Sequence, residues 1–136
     1  MADLSNTTDK PSSGGRFAGF SLLLALGACA TTAAAIPLER FTAKPDFPCA
    51  VSVEFTSACC GINRAAYDAI TVQAPKLRGV IRAGIWTWGR EGEQTLCLVT
   101  SHGDEAFAAL SARKYPTTNS ASTWVVRGEK RVKIEP

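Results

Sequence analysis

The feature that most constrains the folding of this chain is a long stretch without charge near its beginning. From Phe17 to Leu38 the sequence contains no Asp, Glu, Lys or Arg. Its most apolar part, Phe17–Leu26, directly follows Arg16, and an apolar run behind a positive residue is typical of the h-region of an export signal. We therefore expect residues 1–29 to serve as a signal or anchor segment and to stay outside the globular core.

The residues after the apolar run indicate how the segment is processed. Leu26, Gly27, Ala28 and Cys29 place a branched apolar residue and two small residues before a cysteine. This tetrad resembles the lipobox of bacterial lipoprotein precursors, in which small residues fit the peptidase and the cysteine sulfur carries a diacylglyceryl group. The resemblance is confined to the first part of the chain. It implies lipidation of Cys29, a membrane contact through that lipid, and a place in the cell envelope facing the periplasm.

Two other interpretations of this segment stay open. The uncharged stretch has roughly the twenty residues that an uncleaved anchor needs to span a bilayer, which would make the chain a single-pass accessory subunit. Ordinary cleavage after Ala-x-Ala is the other, since residues 28–30 and 33–35 both fit that pattern. All three interpretations place the domain beyond the cytoplasm, with residues 30–47 as a flexible tether and residues 48–136 as the domain.

Length and charge set the bounds on that domain. A chain of 136 residues with 46% hydrophobic content suits one globular domain with an extra segment. Its formal net charge of +3 is small and evenly spread, whereas a nucleic-acid binder usually has a concentrated basic face. We therefore expect no nucleic-acid partner.

The cysteine count fits an exported protein. Of the five cysteines, lipidation of Cys29 leaves Cys49, Cys59, Cys60 and Cys97 as an even set. A bridge between the adjacent Cys59 and Cys60 would strain the peptide between them, so we expect Cys49 and Cys97 each to pair with one of these two. The sequence does not fix the order. The alternative is that some of these residues are buried thiols, which pack as small hydrophobes.

The apolar patterns predict an α+β domain. Val51, Val53 and Phe55 alternate with polar residues, as in a half-buried strand. Asn63 can cap a first helix over roughly Arg64–Gln73, which Pro75 stops. The remaining expected elements are a hairpin of Gly79–Trp88 and Thr95–Thr100, a helix capped by Ser101 or Asp104 and ending near Lys114, and terminal strand segments at Trp124–Val126 and Val132–Ile134.

This element order, β-α-β-β-α-β, is that of the ferredoxin-like, or split βαβ, arrangement. It predicts an antiparallel sheet with two helices on one face, and it leaves the other face for water or a partner. The two terminal segments fit either one long bent strand or a hairpin. Because this architecture carries many unrelated activities, it says nothing about function.

The chain offers little that indicates catalysis. Cys59 or Cys60 would lie near the beginning of the first helix, where a thiolate is stabilised, but a disulfide explains both residues better. His102 is the lone histidine, and antiparallel strands would hold it and these cysteines at opposite edges of the sheet. Without CxxC pairs or a second histidine we expect no metal. We therefore predict no catalytic residues and no cofactor.

A tryptophan pair is the feature that most indicates binding. Along an extended strand Trp86 and Trp88 share one face with Arg82. If Ile81, Ala83 and Ile85 point to the helices, the two tryptophans and the arginine lie on the open face. Such residues are typical of interface anchors. Tryptophans buried in the core are the equally good alternative.

Two classes of function follow from these patterns. The favoured one is a non-enzymatic envelope lipoprotein that binds a protein or polymer partner through the open sheet face. The other is a small thiol-dependent enzyme or redox factor that uses Cys59 or Cys60, which requires a thiol of lowered pKa.

Overall fold

The computed structural model describes residues 34–116 and 121–134. The predicted export signal, Cys29 with its lipobox, and the first part of the predicted tether lie outside the described residues. Within them the elements are β1 (Leu38–Phe41), β2 (Val51–Ser57), α1 (Arg64–Gln73), β3 (Val80–Thr87), β4 (Gln94–Thr100), α2 (Gly103–Ser111), β5 (Ala121–Arg127) and β6 (Lys130–Ile134).

The described strands form one six-stranded mixed sheet in the order β1-β3-β4-β2-β5-β6. β1 pairs with β3 in parallel, and the other described pairings are antiparallel. The α+β class is therefore confirmed, but the sheet is larger than the predicted one. The terminal segments form a hairpin, β5 with β6, and not one bent strand.

The sheet begins earlier in the chain than the sequence predicts. β1 lies in the segment that we assigned to a flexible tether, and Leu38 pairs with Ala83 and Phe41 with Trp86. Leu38 also packs against the core. Residues 38–41 were therefore wrongly assigned: four residues are too few to show a clear alternation, and the strand is held by contacts with β3 that are distant in sequence.

Local sequence explains the first helix well. The Asn63 side chain accepts a hydrogen bond from the Ala66 amide at 3.1 Å, which satisfies one of the unpaired donors at the beginning of α1. Ala66, Tyr67 and Ile70 are its buried residues, and a short 3-10 turn at Ala74–Lys76 follows. The predicted cap and bounds of this helix are confirmed.

The second helix begins differently. His102 occupies the position before α2, and its side chain makes no capping hydrogen bond. Neither Ser101 nor Asp104 is the cap, and the helix ends at Ser111, before the predicted Lys114. Asp104 lies inside the first turn instead, where the helix dipole stabilises a negative charge.

One core joins both helices to the sheet. Val51, Val53 and Phe55 of β2 are fully buried together with Ile70 of α1, and Leu110 of α2 belongs to the same cluster. Tyr67 packs edge-on against Phe55, with ring centroids 5.2 Å apart. The alternate residues of each strand therefore lie on the opposite face of the sheet, which we call the open face. No helix in the described part of the chain is long and apolar enough to cross a membrane.

Candidate functional site

A single row of side chains crosses the open face at the same level on every strand of the described sheet. Strand pairing aligns Trp86 with Thr95, Thr95 with Glu54, and Glu54 with Trp124. In strand order the row consists of Phe41, Trp86, Thr95, Glu54, Trp124 and Lys133. Trp86 and Trp124 are three strand spacings apart, roughly 14 Å. We call this set the aromatic row.

The predicted binding residues lie on this face. Ala83 and Ile85 of β3 are buried in the core, so Arg82 and Trp86 point the other way. Trp88, just beyond the end of β3, is 54% exposed, and its indole N–H donates to the Thr95 hydroxyl at 3.0 Å. The tryptophans therefore do not occupy the core.

One residue of that prediction was placed wrongly. Ile81 was expected to face the helices, but it is 71% exposed. The pairing of β3 with β4 is irregular between Val80 and Arg82, and Val80 takes the core position instead. A bulge shifts the alternation by one residue, which no periodic pattern can anticipate.

Arg82 is a structural part of the open face. Its guanidinium makes two hydrogen bonds to the Glu39 carboxylate, at 2.7 and 2.8 Å. It also lies over the Phe47 ring, 4.1 Å from the centroid. The hydrogen bonds from Arg82, assisted by its charge, lower the pKa of Glu39, and the same contact raises the pKa of Arg82. This pair holds β1 against β3.

The ion pair predicts a pH-dependent edge strand. A carboxyl with a lowered pKa adds stability above its ordinary pKa, and this stability is lost as the pH falls through the lowered value. In Glu39→Gln we therefore expect amides of residues 38–41 to exchange hydrogen roughly two- to fivefold faster than in the wild type at pH 7.

The difference between these two proteins should vanish at acid pH, where the wild-type carboxyl is also neutral. Glu105→Gln is the matched control, since Glu105 contacts Arg78 at 3.6 Å on the exposed surface of α2. An equal effect of the control on residues 38–41, or no effect of Glu39→Gln at pH 7, would contradict the assigned role of the pair.

The loop between β1 and β2 crosses the open face. In residues 42–50, which we call the strap, Phe47 packs edge-on against Phe41 at 5.8 Å between centroids. A Cβ atom on Gly84 would lie 2.7 Å from Phe41 and 2.9 Å from Phe47, so only glycine lets the rings sit this close to β3. The Ala50 amide donates to the Leu98 carbonyl at 2.9 Å and ties the strap to β4.

A disulfide fixes the strap to the sheet. Cys49 of the strap is bonded to Cys97 of β4, with Cα atoms 5.2 Å apart. The expected pairing of each with Cys59 or Cys60 is therefore wrong. Cys97 points to the open face in the middle of the sheet, whereas Cys59 and Cys60 follow the end of β2. The strap therefore reaches Cys97, and the β2–α1 loop does not.

Strap and sheet border a groove on the open face that is partly open to solvent. Its volume is about 540 Å³, and it lies between residues 44–49 and the row positions Trp86, Thr95 and Glu54, with Ser52 beside them. A second hollow, on the side of Arg82 and Phe41, is formed by residues 41–47. We call the first of these the strap groove; it combines an indole, hydroxyls and carboxylates, and is the candidate binding site.

The far end of the row was not predicted as a binding surface. Arg131 of β6 lies over the Trp124 ring, 4.4 Å from its centroid, and donates to Glu54 Oε2 at 2.7 Å. This contact positions the Glu54 carboxylate beside the strap groove. Alternation along β5 could have placed Trp124 on the open face, but only strand pairing shows that it is level with Trp86.

Cys59 and Cys60 form a separate exposed site in the β2–α1 loop. The Cys60 backbone has a φ of 73°, and its amide donates to Glu91 Oε2 at 3.3 Å. The pKa of Cys60 is raised, and the largest cause is the hydrogen bond with the Cys59 thiol. Desolvation and the charges of Cys59 and Glu91 raise it further. A raised pKa disfavours the thiolate that a nucleophilic cysteine requires.

His102 lies away from these cysteines. Val51 pairs with Leu98 and Phe55 with Gln94, so the ends of β2 and β4 lie at opposite edges of the sheet. His102 Nδ1 is 2.9 Å from the Ser101 hydroxyl, and nearby Asp104 forms an ion pair with Arg127. In residues 34–116 and 121–134 no cluster of three His, Cys, Asp or Glu side chains could hold a metal ion.

Comparison with known proteins gives no relative: no family model, no curated protein and no solved structure matches this chain.

Proposed function

We propose that this protein is a non-enzymatic binding module, held outside the cytoplasm by a lipid on Cys29, that contacts a polymer or protein of the cell envelope through its open face. The observation that carries the proposal is the strap groove with the aromatic row. Exposed or half-buried tryptophans, level with hydroxyl and carboxylate groups on a rigid sheet, are what a recognition surface needs.

Placement outside the cytoplasm has two supports. The lipobox resemblance at residues 26–29 predicts export and lipidation. The Cys49–Cys97 disulfide is compatible with an oxidising compartment, where such bonds persist.

The architecture supports a binding role without defining it. The inner strands, in the order β3-β4-β2-β5, are antiparallel to one another. We infer that they form, with α1 and α2, the split βαβ unit that the sequence predicts, extended by β1 and β6. In this unit the helices cover one face, and the other is left for a partner.

A photo-cross-linker in the full-length protein, expressed in its own cells, tests the proposal. Placed at Trp88, it should give a product heavier than the protein alone or retained covalently by the insoluble envelope. Val72 of α1 is the matched control, because it is 58% exposed, against 54% for Trp88, but lies on the helical side. Equal yields at the two positions, or none at Trp88, would contradict binding through the open face.

A further inference from the structure

We propose that the strap groove binds an uncharged glycan chain of β-1,4-linked N-acetylhexosamine rings, with one ring stacked on Trp86. This inference rests on the proposed function and names the ligand of the same surface. A sugar ring has an apolar C–H face and a rim of hydroxyls, so its site must offer a flat apolar surface bordered by hydrogen-bonding groups.

The walls of the groove have this composition. Trp86 lies on the sheet side, half-buried, and Pro45, Phe47 and Pro48 lie on the strap side. Opposed apolar walls can hold both faces of a ring and the methyl of its acetamido group, and aromatic contact with C–H groups is favourable. The volume of about 540 Å³ is in the range of small-molecule clefts and suits a short oligosaccharide.

The floor supplies hydrogen bonds. Thr95 already accepts from the Trp88 indole, so its own hydroxyl hydrogen is left to donate. Within the described part of the chain, Arg131 engages Oε2 of Glu54, and Oε1 can accept from a sugar hydroxyl or an acetamido N–H. The Ser52 hydroxyl lies beside them in the groove lining.

The charges of the groove favour a neutral ligand. Lys44 and Asp46 carry opposite charges in the strap, and the Glu54 carboxylate is paired with Arg131. This balance gives no net attraction for polyanions such as nucleic acid or anionic lipid, whose binding depends on uncompensated Lys and Arg. An uncharged, hydroxyl-rich chain is the ligand that suits it.

The groove is also preorganised for a ligand. The strap is fixed by the Cys49–Cys97 disulfide and by the packing of Phe47 under Arg82. A site that is already ordered loses less conformational entropy when the ligand binds. This matters for glycans, whose hydrogen bonds must compensate for those given up to water.

Titration of the full-length protein in detergent micelles with chitohexaose, followed by calorimetry, tests the inference. We expect saturable binding to the wild type and at least about tenfold weaker binding to Trp86→Ala. Trp86→Phe, which keeps an aromatic face, should retain most of the affinity. Ile81→Ala is the control, since Ile81 is exposed on the same strand but does not line the groove.

If Trp86→Ala does not fold, Ser52→Trp provides the same test by filling the groove without removing a wall, and it should also abolish binding. Unchanged affinity in Trp86→Ala or Ser52→Trp would overturn the assigned site. Cross-linking from Trp88 without chitohexaose binding would overturn the glycan and leave the proposed function standing, and a protein in the cross-linked product would identify the other class of partner. Failure of both experiments would contradict both proposals.

Discussion

Replacing both Cys49 and Cys97 with alanine is expected to lower the free energy of unfolding by about 4 kcal/mol, the loop-closure entropy of a bridge that spans 48 residues. The disulfide joins the strap to the central part of the sheet, so its loss frees the strap in the unfolded chain and loosens it in the folded one. The measurement is urea denaturation of the double variant and the wild type under non-reducing conditions.

The double variant Cys59→Ala with Cys60→Ala is the matched control. Both residues are exposed, so the free energy of unfolding should change by roughly 0.5 kcal/mol or less. A control that is as unstable as the Cys49 and Cys97 variant would show that the pairs expected from sequence, each linking a distant cysteine to Cys59 or Cys60, are the real ones.

Local signals predicted the elements whose cause is local. α1 follows from Asn63 and the spacing of its apolar residues, and both are visible in the sequence. β2 follows from alternation alone, because its inward residues are apolar and its outward ones polar. The hairpin of β3 and β4 was predicted from its β-branched and aromatic residues, although the bulge near Ile81 was not.

The features that were predicted wrongly from the sequence depend on contacts between residues that are distant in the chain. β1 is held by the parallel pairing with β3 and by the contact of Glu39 with Arg82. The disulfide was assigned wrongly because its pairing depends on the path of the strap across the sheet, which no periodicity encodes. Elements that are stabilised by their neighbours carry little signal of their own.

The candidate site, like the fold, was predicted only where the signal lies within one strand. Alternation placed Arg82, Trp86 and Trp88 on one face of β3, and they lie on the open face. The sequence missed Glu54 and Trp124, because their alignment with Trp86 depends on the strand order β3-β4-β2-β5. It also missed Phe47, which reaches the sheet only as part of the strap. A surface that several strands build together can be predicted only when the order and register of those strands are known.

Lipidation of Cys29 is the prediction with the largest effect on the whole molecule. Two acyl chains give stable membrane attachment, whereas a chain without them relies on weak or reversible contacts. Cys29→Ser removes the sulfur to which we propose the lipid is attached and leaves the rest of the sequence unchanged. The mass added by the lipid should therefore disappear, and no chain that begins at residue 29 with an acyl group should be found.

Anchoring by a lipid outside the cytoplasm is tested most directly by the intact mass of the protein, purified from a membrane fraction and alkylated under denaturing conditions before and after reduction. We expect a chain that begins at diacylglyceryl-modified Cys29, with Cys49 and Cys97 alkylated only after reduction. An unlipidated chain that still contains residues 1–28 and alkylates at Cys49 and Cys97 without reduction would contradict both the anchor and the disulfide.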